Sequence, residues 1–402
     1  MMLYLCQTNR NIHRKRHSPI LLMIDFRLFH IKILIEMTKS LLFTSVLSLL
    51  LALNSFAQCN GCTTLCDKRY DEVSYLTTHN AYNSKEDGFK LPNQNWNIST
   101  QLNSGVRALM IDVYEGAEQL EVYHAYRVLG WKPFVDVLGE IKTFLDDNPQ
   151  EVVTIILECY ASADKILADF ENSGLSKYLY TKAANQDWNT LEEMINEDTR
   201  LVVFTDRNDA IAGQEWYHYV WDYAVETHYS NSKKEDFSCE YNRGSDNAED
   251  KDLFILNHFL TGSLTGVGRY SKSVAANANP YLLERIKECQ SATGKLPNFI
   301  TVDFYEIGDC RAVVDIINET SGICSPTYKF KLYPNPAEEY VFIEGAFIFP
   351  SDLQILTLQG VDITNRVAVT EIRDDLVQID ISGLGDGIYI IKSKFFSMKF
   401  LK

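Results

Sequence analysis

Between residues 73 and 318, short apolar runs rich in β-branched side chains alternate with stretches whose apolar residues recur with a helical period. The runs predict strands and the stretches between them predict helices. Strand-then-helix order repeated over about 250 residues is typical of one α/β domain, most simply a TIM-type (β/α)8 barrel. Only seven strands are distinct, so the prediction allows for a distorted or incompletely closed barrel. These strands are 73–78, 106–113, 120–124, 152–158, 200–205, 253–257 and 298–304.

The pattern changes after Cys324, where the helical period ends. From residue 329 to residue 402 the chain consists of short alternating runs separated by turns, which predicts a small all-β, sandwich-like domain. Its strands are expected at 340–344, 354–358, 377–381 and 388–392. We therefore predict a barrel domain at 58–322, a linker at 323–328 and a β domain at 329–402.

The segment before residue 58 is not expected to belong to either domain. Lys39 is followed by an almost wholly apolar run at 41–53 and by Ser55-Phe56-Ala57, which suits a cleavage site. This is the pattern of a secretory signal peptide at 37–57, because the apolar run is shorter than the roughly 20 residues of a membrane span. Residues 1–36 show no periodicity, and we interpret them as the product of a start codon assigned too early.

Charge and cysteine content narrow the functional classes. From residue 58 onward there are 31 Lys and Arg and 52 Asp and Glu, a net charge of −21. No nucleic-acid partner is expected, because such binders neutralise phosphates with a basic face. The eight cysteines of this segment favour disulfides in an exported protein. Half of a zinc site at Cys59, Cys62 and Cys66 is the less favoured interpretation, because no second ligand cluster follows.

Candidate catalytic residues stand where predicted strands end. Of the five histidines beyond residue 57, His79 and His124 occupy such positions. Barrel enzymes carry their catalytic residues at the carboxyl ends of the strands, and histidine can both give and take a proton near neutral pH. Carboxylates gather at the same ends, which favours a hard cation held by oxygen ligands, with calcium expected. These acids are Asp112, Glu158, Asp206 and Asp303.

Four segments around these residues carry a family resemblance: TTHNAY at 77–82, QLNSGVRALMIDVY at 101–114, NPQEVVT at 148–154 and PNFITVDFY at 297–305. Together they resemble the X-domain of phosphatidylinositol-specific phospholipases C, and more closely the secreted phospholipase C-like phosphodiesterases. The likeness runs from about residue 70 to residue 318, which is essentially the whole predicted barrel. It implies a barrel enzyme that cleaves phosphodiesters.

The resemblance also implies roles for individual residues. His79 matches the general base, His124 the general acid, and Asp303 an acid that orients His79. Arg107 is predicted to steady the phosphate oxygens, with a buried ion pair as its equally weighted alternative.

A calcium site is implied at the same place. Three ligand positions of the metal-dependent branch fall on Asn80, Asp112 and Glu158. The fourth falls on Met110, which cannot bind calcium, so we predict weakly bound Ca²⁺. The alternative is that water and Glu115 or Asp206 complete the site.

The β domain has its own resemblance. LYPNP at 332–336, LQG at 358–360, ISGL at 381–384, GIY at 387–389 and KFLK at 399–402 occur in that order. They resemble the type A C-terminal sorting domain of type IX secretion. This implies a Bacteroidota-type host, export through the periplasm and outer membrane to the cell surface or medium, and removal of the domain at the end.

The prediction is therefore a secreted phosphoric diester hydrolase that acts on a phospholipid or glycolipid at a membrane surface by His/His acid–base catalysis with calcium assistance. Two alternatives stay open. One is a phosphodiesterase for sphingolipids or glycerophosphodiesters on the same barrel. The other is a catalytically weak surface-binding module, which Met110 in a ligand position favours and the retention of both histidines opposes.

Overall fold

The computed structural model describes residues 58–183, 186–209, 213–262, 270–319, 330–344, 350, 353–373, 376–393 and 397–402. The predicted signal peptide at 37–57, the segment 1–36 before it and the linker at 323–328 lie outside these residues. Within the ranges given, no helix combines the length and the apolar character that a membrane crossing needs.

Parallel strands form a curled sheet in the barrel domain. The structure describes eight of them: β1 (Tyr75–Thr78), β2 (Ala108–Glu115), β5 (Val153–Tyr160), β6 (Leu201–Thr205), β7 (Tyr217–Tyr219), β8 (Ala224–Thr227), β10 (Leu253–Asn257) and β11 (Phe299–Val302). Hydrogen-bonded ladders join them in the order β7-β6-β5-β2-β1-β11-β10-β8. In the described residues no ladder joins β7 to β8, so the barrel is incompletely closed. The predicted TIM-type fold is confirmed.

Three shorter strands pair antiparallel with this sheet. β3 (Leu120–Val122) pairs with the last residues of β2, β4 (Lys132–Pro133) pairs with β3, and β9 (Tyr241–Arg243) pairs with β8. The prediction that 120–124 is a barrel strand is therefore wrong, because this run folds back on β2 as a hairpin. The sequence pattern missed β7 and β8, since each has only three or four residues and both contain polar side chains.

The structure describes eight helices on the connections between the strands and after β11. They are α1 (Ile98–Asn103), α2 (Phe134–Asp147), α3 (Ala163–Ser173), α4 (Leu191–Asn196), α5 (Val220–Tyr223), α6 (Tyr270–Ala276), α7 (Tyr281–Thr293) and α8 (Cys310–Ile317). The amphipathic helix α2 buries Phe134, Val137, Leu138, Ile141 and Leu145 against the sheet. One apolar layer therefore lies between the helices and the strands.

A second apolar cluster fills the barrel interior. Side chains alternate between the two faces of a strand, so on β1 Tyr75 belongs to the inner cluster and Leu76 to the outer layer. Tyr75 stacks on Phe299 of β11 at 5.8 Å between ring centroids. The segment 59–73 adds Tyr70 and Val73 to the same inner cluster. The interior is therefore packed with side chains below the carboxyl ends of the strands.

Disulfides hold two places in the barrel domain. Cys59 is bonded to Cys66 near the start of the described chain, and Cys239 is bonded to Cys289 on α7. Cys62 is also disulfide-bonded. The expectation of disulfides is confirmed, and these bonds use the cysteines that a zinc site would need.

The carboxyl-terminal domain consists of two antiparallel sheets. One has the order β12-β13-β16-β15 and the other β14-β17-β18. The strands are β12 (Lys331–Tyr333), β13 (Tyr340–Glu344), β14 (Gln354–Thr357), β15 (Ala368–Arg373), β16 (Leu376–Asp380), β17 (Ile388–Lys392) and β18 (Ser397–Leu401). Side chains from both sheets, including Val341, Ile379, Ile391 and Phe400, form its buried core. The predicted all-β, sandwich-like architecture is confirmed.

Candidate active site

Two carboxylates lie side by side inside the mouth of the barrel. On β2, residues 108, 110 and 112 share the inner face, and on β5 residues 156 and 158 do, because side chains alternate along a strand. Asp112 and Glu158 are direct partners in the parallel register of these strands. Both line a cavity at the carboxyl ends, whose empty space is about 540 Å³ with open solvent included.

His79 and Asp303 form a hydrogen-bonded pair on the neighbouring strands. His79 follows β1 and Asp303 follows β11, which pairs with β1. The distance from His79 Nδ1 to Asp303 Oδ1 is 2.9 Å, and the imidazole stacks on Phe259 at 3.7 Å between ring centroids. Because a carboxylate only accepts, Nδ1 of His79 carries the proton. Its Nε2 is then the ring atom that can take a proton from another molecule.

His124 lies on a different element than predicted, because it follows the antiparallel strand β3. Its ring nevertheless lies 6.5 Å from that of His79, centroid to centroid. Its Nδ1 is 3.1 Å from Asn80 Nδ2 and 3.5 Å from Asp112 Oδ2. The other nitrogen, Nε2, is buried and has no hydrogen-bond partner within the described chain.

The charge on His124 is set by two opposing effects. Burial disfavours the imidazolium, but the hydrogen bond and charge of Asp112, with the charges of Asp303 and Glu158, outweigh it. The net effect raises the pKa of His124 above its usual value. A protonated ring at this position is suited to donating a proton.

The cavity also contains residues that sequence reasoning missed. Arg243 of β9 lines it and bonds Glu226 through Nε at 2.5 Å and Nη2 at 3.0 Å. Its guanidinium lies 4.7 Å from the ring centroid of Trp221 and 4.7 Å from that of Tyr229. No pattern marks Arg243, because β9 is a three-residue antiparallel strand. Trp221 lies on the four-residue helix α5, and Tyr229 lies on the connection between β8 and β9.

Arg107 does not belong to the site. It precedes β2, at the opposite end of the barrel, and is only 3% exposed. Its Nε donates to Glu151 Oε2 at 2.7 Å, and its Nη1 donates to the carbonyl oxygens of Leu102 and Val106, both at 2.7 Å. The prediction that Arg107 steadies phosphate oxygens is wrong. Its alternative, the buried ion pair, is what the structure shows.

Of the two extra acids considered for the cation, only Asp206 lines the cavity. It follows β6, and its Oδ1 accepts from the backbone N–H of Cys159 at 2.8 Å. Glu115 bonds Lys165 instead, at 2.6 Å, and this bond lowers its pKa to about 2. Asp206 is therefore the acid that remains near Asp112 and Glu158.

A family model described as PI-PLC X 1 matches residues 65–318. This chain belongs to the PI-PLC X family. The match spans every strand and helix of the barrel domain described above. It includes all of the histidine and carboxylate positions at the mouth.

Curated relatives and a solved structure are similar to this chain. Over 274 residues, the chain is 31% identical to a PI-PLC X domain-containing protein of Arabidopsis thaliana, which covers 63% of this chain and 62% of that protein. The chain thus spans less than two thirds of that relative. It is 28% identical to PI-PLC X domain-containing protein 1 of Arthroderma benhamiae, with 62% and 86% coverage. The phosphatidylinositol-specific phospholipase C of Listeria monocytogenes aligns with a TM-score of 0.45 at 18% identity, covering 64% of this chain and 96% of that one.

A second family model covers the carboxyl-terminal domain. Residues 331–399 match a secretion system C-terminal sorting domain. The seven strands described for this region lie within residues 331–401. The predicted resemblance to a sorting domain is confirmed.

The residues predicted to bind calcium lie together at the mouth of this PI-PLC X domain. All three line the cavity: Asn80, Asp112 and Glu158. Asn80 Nδ2 donates to Asn93 Oδ1 at 3.3 Å, so the carbonyl oxygen of Asn80 is the atom that could bind a cation. Met110 lines the same cavity and offers only a thioether, a poor calcium ligand. In the described ranges, no three His, Cys, Asp or Glu side chains are grouped closely enough to hold a metal.

Glu158 shows that the carboxylates of the mouth are not neutralised by the protein. Although the side chain reaches solvent, the enclosing cavity wall raises its pKa, and the charge of Asp112 raises it further. Tyr160 donates a hydrogen bond to Glu158 Oε1 and partly offsets this shift. A divalent cation between the two acids would relieve their repulsion.

Proposed function

We propose that this protein is a secreted phosphoric diester hydrolase that cleaves a phospholipid or glycolipid by acid–base catalysis with two histidines. The observation that carries the proposal is the pair of imidazoles 6.5 Å apart at the barrel mouth. Each ring has a carboxylate at Nδ1, Asp303 for His79 and Asp112 for His124. Two differently placed histidines supply one base and one acid, which phosphodiester cleavage needs.

His79 is the general base. Its Nδ1–H is held by Asp303, so Nε2 takes the proton from a hydroxyl next to the phosphodiester. That hydroxyl oxygen then attacks phosphorus. Stacking on Phe259 fixes the plane of the imidazole, so the accepting lone pair keeps one direction during turnover.

His124 is the general acid. The bond between phosphorus and the leaving oxygen breaks as that oxygen takes the proton from His124 Nε2. The pKa of His124 is raised above its usual value, which favours the protonated ring that this role needs. The proton balance is restored when water opens the cyclic product: neutral His124 takes a proton from the attacking water, and protonated His79 gives its proton to the ring oxygen that leaves phosphorus.

The negative charge that develops on phosphate needs a positive partner. We propose that Asn80, Asp112 and Glu158 hold a weakly bound Ca²⁺, which when bound would stabilise the non-bridging oxygens. Arg243, and not Arg107, is the arginine that lines the same cavity. Its Nε and Nη2 are engaged by Glu226, which leaves Nη1 as the donor available to substrate.

The exposed apolar side chains of the barrel favour a lipid surface as the place of action. Among the described residues of the barrel domain, nine large hydrophobic side chains are exposed. Eight of them lie in three kinds of place: five on the connections after β1, β3 and β8, one at the end of β5 and two on α6. Tyr and Trp are common at membrane interfaces because they combine an apolar ring with a polar group. The eight are Leu91, Tyr126, Val128, Trp131, Tyr160, Tyr229, Tyr270 and Val274.

The sorting domain supports export of the enzyme. We propose that the type IX machinery of a Bacteroidota-type bacterium recognises residues 331–399, moves the protein across the outer membrane and removes this domain. The barrel then acts in the medium or at the cell surface.

A panel of phosphodiesters tests the proposed function. Vesicles containing phosphatidylinositol, sphingomyelin, a glycolipid diester or lysophospholipid are incubated with protein in millimolar calcium or in chelator, and water-soluble phosphate esters are measured. We expect release from at least one inositol- or sugar-containing lipid, with loss of activity in chelator. Release only from sphingomyelin would select the sphingolipid alternative. Vesicle binding without release from any lipid would select the weak binding module, which Met110 favours.

A further inference from the structure

Gln94 contacts the two strand ends that carry the proposed base and its carboxylate. It lies on the connection between β1 and α1 and is fully buried. Its backbone is held by two bonds, because its N–H donates to the carbonyl oxygen of Asn83 at 3.2 Å and its own carbonyl oxygen accepts from Lys85 N at 2.9 Å. The side chain of Gln94 therefore starts from a fixed point on this connection.

The carboxamide of Gln94 joins the two strand ends through their backbones. Nε2 donates to the carbonyl oxygen of His79 at 2.9 Å and to that of Val302 at 3.1 Å. Oε1 accepts from the backbone N–H of Tyr305 at 3.3 Å. Since carbonyl oxygens can only accept, the amide nitrogen must face His79 and Val302, and this fixes the orientation of the side chain. One side chain thus bonds the backbone of His79 and the backbone on both sides of Asp303.

Both strand ends leave the extended conformation directly after the functional residue. Asn80, which follows His79, has a φ of 47°, and Phe304, which follows Asp303, has a φ of 49°. Residues other than glycine rarely adopt this left-handed conformation, and for a bulky residue such as phenylalanine it costs free energy. Such residues persist only where the surrounding bonds determine the backbone. The three bonds of Gln94 lie next to these two bends and hold them.

The bends set the spacing of the base and its carboxylate. His79 Nδ1 and Asp303 Oδ1 are 2.9 Å apart, but the ladder between β1 and β11 ends before both residues, at the register pair Thr78 and Val302. Past this pair, the N–H of His79 donates to the carbonyl oxygen of Val302 at 3.0 Å. The carboxamide of Gln94 bridges the same two residues. The contact between the two functional side chains therefore depends on Gln94.

We propose that Gln94 is a positioning residue, which bonds the backbone at both bends and so keeps the imidazole of His79 and the carboxylate of Asp303 in contact at the barrel mouth. The proposal rests on the role of general base proposed above for His79. Gln94 is not among the described residues that line the cavity. It acts through the position of the two side chains, so its replacement should lower the rate of the folded enzyme without removing a group that binds the lipid.

The opposite end of the barrel offers a matched control. Asn298 directly precedes β11, is also fully buried and makes the same three kinds of bond. Its Nδ2 donates to the carbonyl oxygens of Asp71 at 2.8 Å and Val73 at 3.1 Å, and its Oδ1 accepts from Phe254 N at 3.0 Å. Asn298 thus joins backbone segments as Gln94 does, but at the amino end of the barrel, away from both histidines.

Gln94→Met and Asn298→Leu replace each amide by an apolar side chain of similar shape. Each leaves two carbonyl oxygens and one N–H without this partner, so both should lower Tm. On a lipid that the wild type cleaves, folded Gln94→Met should lose about 10- to 100-fold in kcat, since a misplacement of about 1 Å can cost about 10²-fold. KM should stay near the wild-type value, and Asn298→Leu should keep wild-type kcat. Wild-type kcat in folded Gln94→Met, or an equal loss in both variants, would overturn the proposal.

Amide hydrogen exchange gives a second measurement, which needs no turnover. In Gln94→Met, the peptides that contain His79 and Phe304 should exchange about tenfold faster relative to the rest of the barrel, since the loss of one hydrogen bond changes a local opening equilibrium by about that factor. In Asn298→Leu, exchange at these peptides should change only as much as in the rest of the barrel. Unchanged relative exchange in Gln94→Met would also contradict the proposal.

A second variant covers the case in which Gln94→Met does not fold. Gln94→Asn keeps the amide but is one methylene shorter, so it cannot keep all three bonds, and both measurements are then made on it with the same expected direction and the same contradicting results. If the wild type cleaves no lipid of the panel, the proposed function fails. The exchange rates alone then decide whether Gln94 holds the two bends.

Discussion

The two ends of the barrel handle charge in opposite ways. At the amino end, Arg107 is paired with Glu151 at 2.7 Å, and Arg200 donates to Asp198 at 2.7 Å and to the carbonyl oxygen of Leu145 at 3.1 Å. At the carboxyl end, the acids Asp112 and Glu158 are register partners of each other, and the arginine that lines the cavity, Arg243, is bonded to a different acid, Glu226.

Two polar atoms of the proposed catalytic residues are buried without a partner. His124 Nε2 and Asp303 Oδ2 are buried at the carboxyl end without a hydrogen-bond partner in the part of the chain that is described. Unsatisfied buried polar groups destabilise a fold, so they persist where a ligand or a reaction uses them. The amino end of the barrel therefore serves stability and the mouth serves function, as in other barrels of this type.

The largest effect is expected on turnover, when either histidine of the mouth is replaced. His79→Gln and His124→Gln should each lower kcat by about 10²–10⁴, the usual contribution of general acid–base catalysis. Thermal unfolding should stay close to wild type, because both rings reach the cavity or lie beside it. Near wild-type turnover in either variant would remove that histidine from the mechanism.

At the amino end of the barrel, we expect a substitution to lower stability and leave activity unchanged. Arg107→Met leaves Glu151 buried without its partner and should lower the free energy of unfolding by about 3–5 kcal/mol, as is typical when half of a buried pair is removed. Activity per folded molecule should not change. The double variant Arg107→Met/Glu151→Leu should recover much of the stability. A loss of kcat in folded Arg107→Met would mean that this end also serves the reaction.

Exposed side chains allow a smaller, matched comparison of the two ends. Val128 at the mouth is 76% exposed and Ile316 near the end of α8 is 36% exposed. Val128→Asp should weaken binding to phosphatidylcholine vesicles by about tenfold, since burying one valine contributes about 1.5 kcal/mol. Ile316→Asp should not affect sedimentation with vesicles. Equal binding by both variants would exclude the mouth as the lipid-facing side.

The smallest effect concerns Glu306, another poorly partnered acid near the mouth. Oε1 accepts from Asn95, Oε2 has no partner among the described residues, and burial raises the pKa of Glu306 to about 7. A raised carboxyl pKa means that the unfolded chain releases this proton first, so stability falls as pH rises toward 7. Glu306→Gln should therefore raise Tm at pH 8 and leave it unchanged at pH 4. An equal change in Tm at both pH values would show that ionisation is not involved.

Much of the mouth could be predicted from the sequence, because strand alternation and parallel register are local rules. Residue 112 is an inward position at the end of β2, and Glu158 is its partner on β5. His124 was placed on the wrong element, because a three-residue antiparallel strand has the same apolar pattern as a barrel strand. Arg107 was misassigned, because the pattern gives a side chain's face and not which end of the barrel contains the site.

Arg243 and Gln94 could not be predicted for a different reason. Arg243 lies on a short strand attached to the edge of β8, and Gln94 lies on an irregular connection. Such segments have no periodicity from which a position in space follows. Their roles depend on long-range hydrogen bonds to Glu226 and to the backbone of Val302, which only the folded chain reveals.

The central claim is that His79 activates a hydroxyl next to the phosphodiester and His124 protonates the leaving oxygen. A lipid that is cleaved by the protein can be compared with an analogue in which only that neighbouring hydroxyl is O-methylated, with both reactions followed by ³¹P NMR in millimolar calcium. We expect cleavage of the parent lipid and no cleavage of the methylated analogue, although the protein binds vesicles of both. Cleavage of the two at equal rates would contradict it.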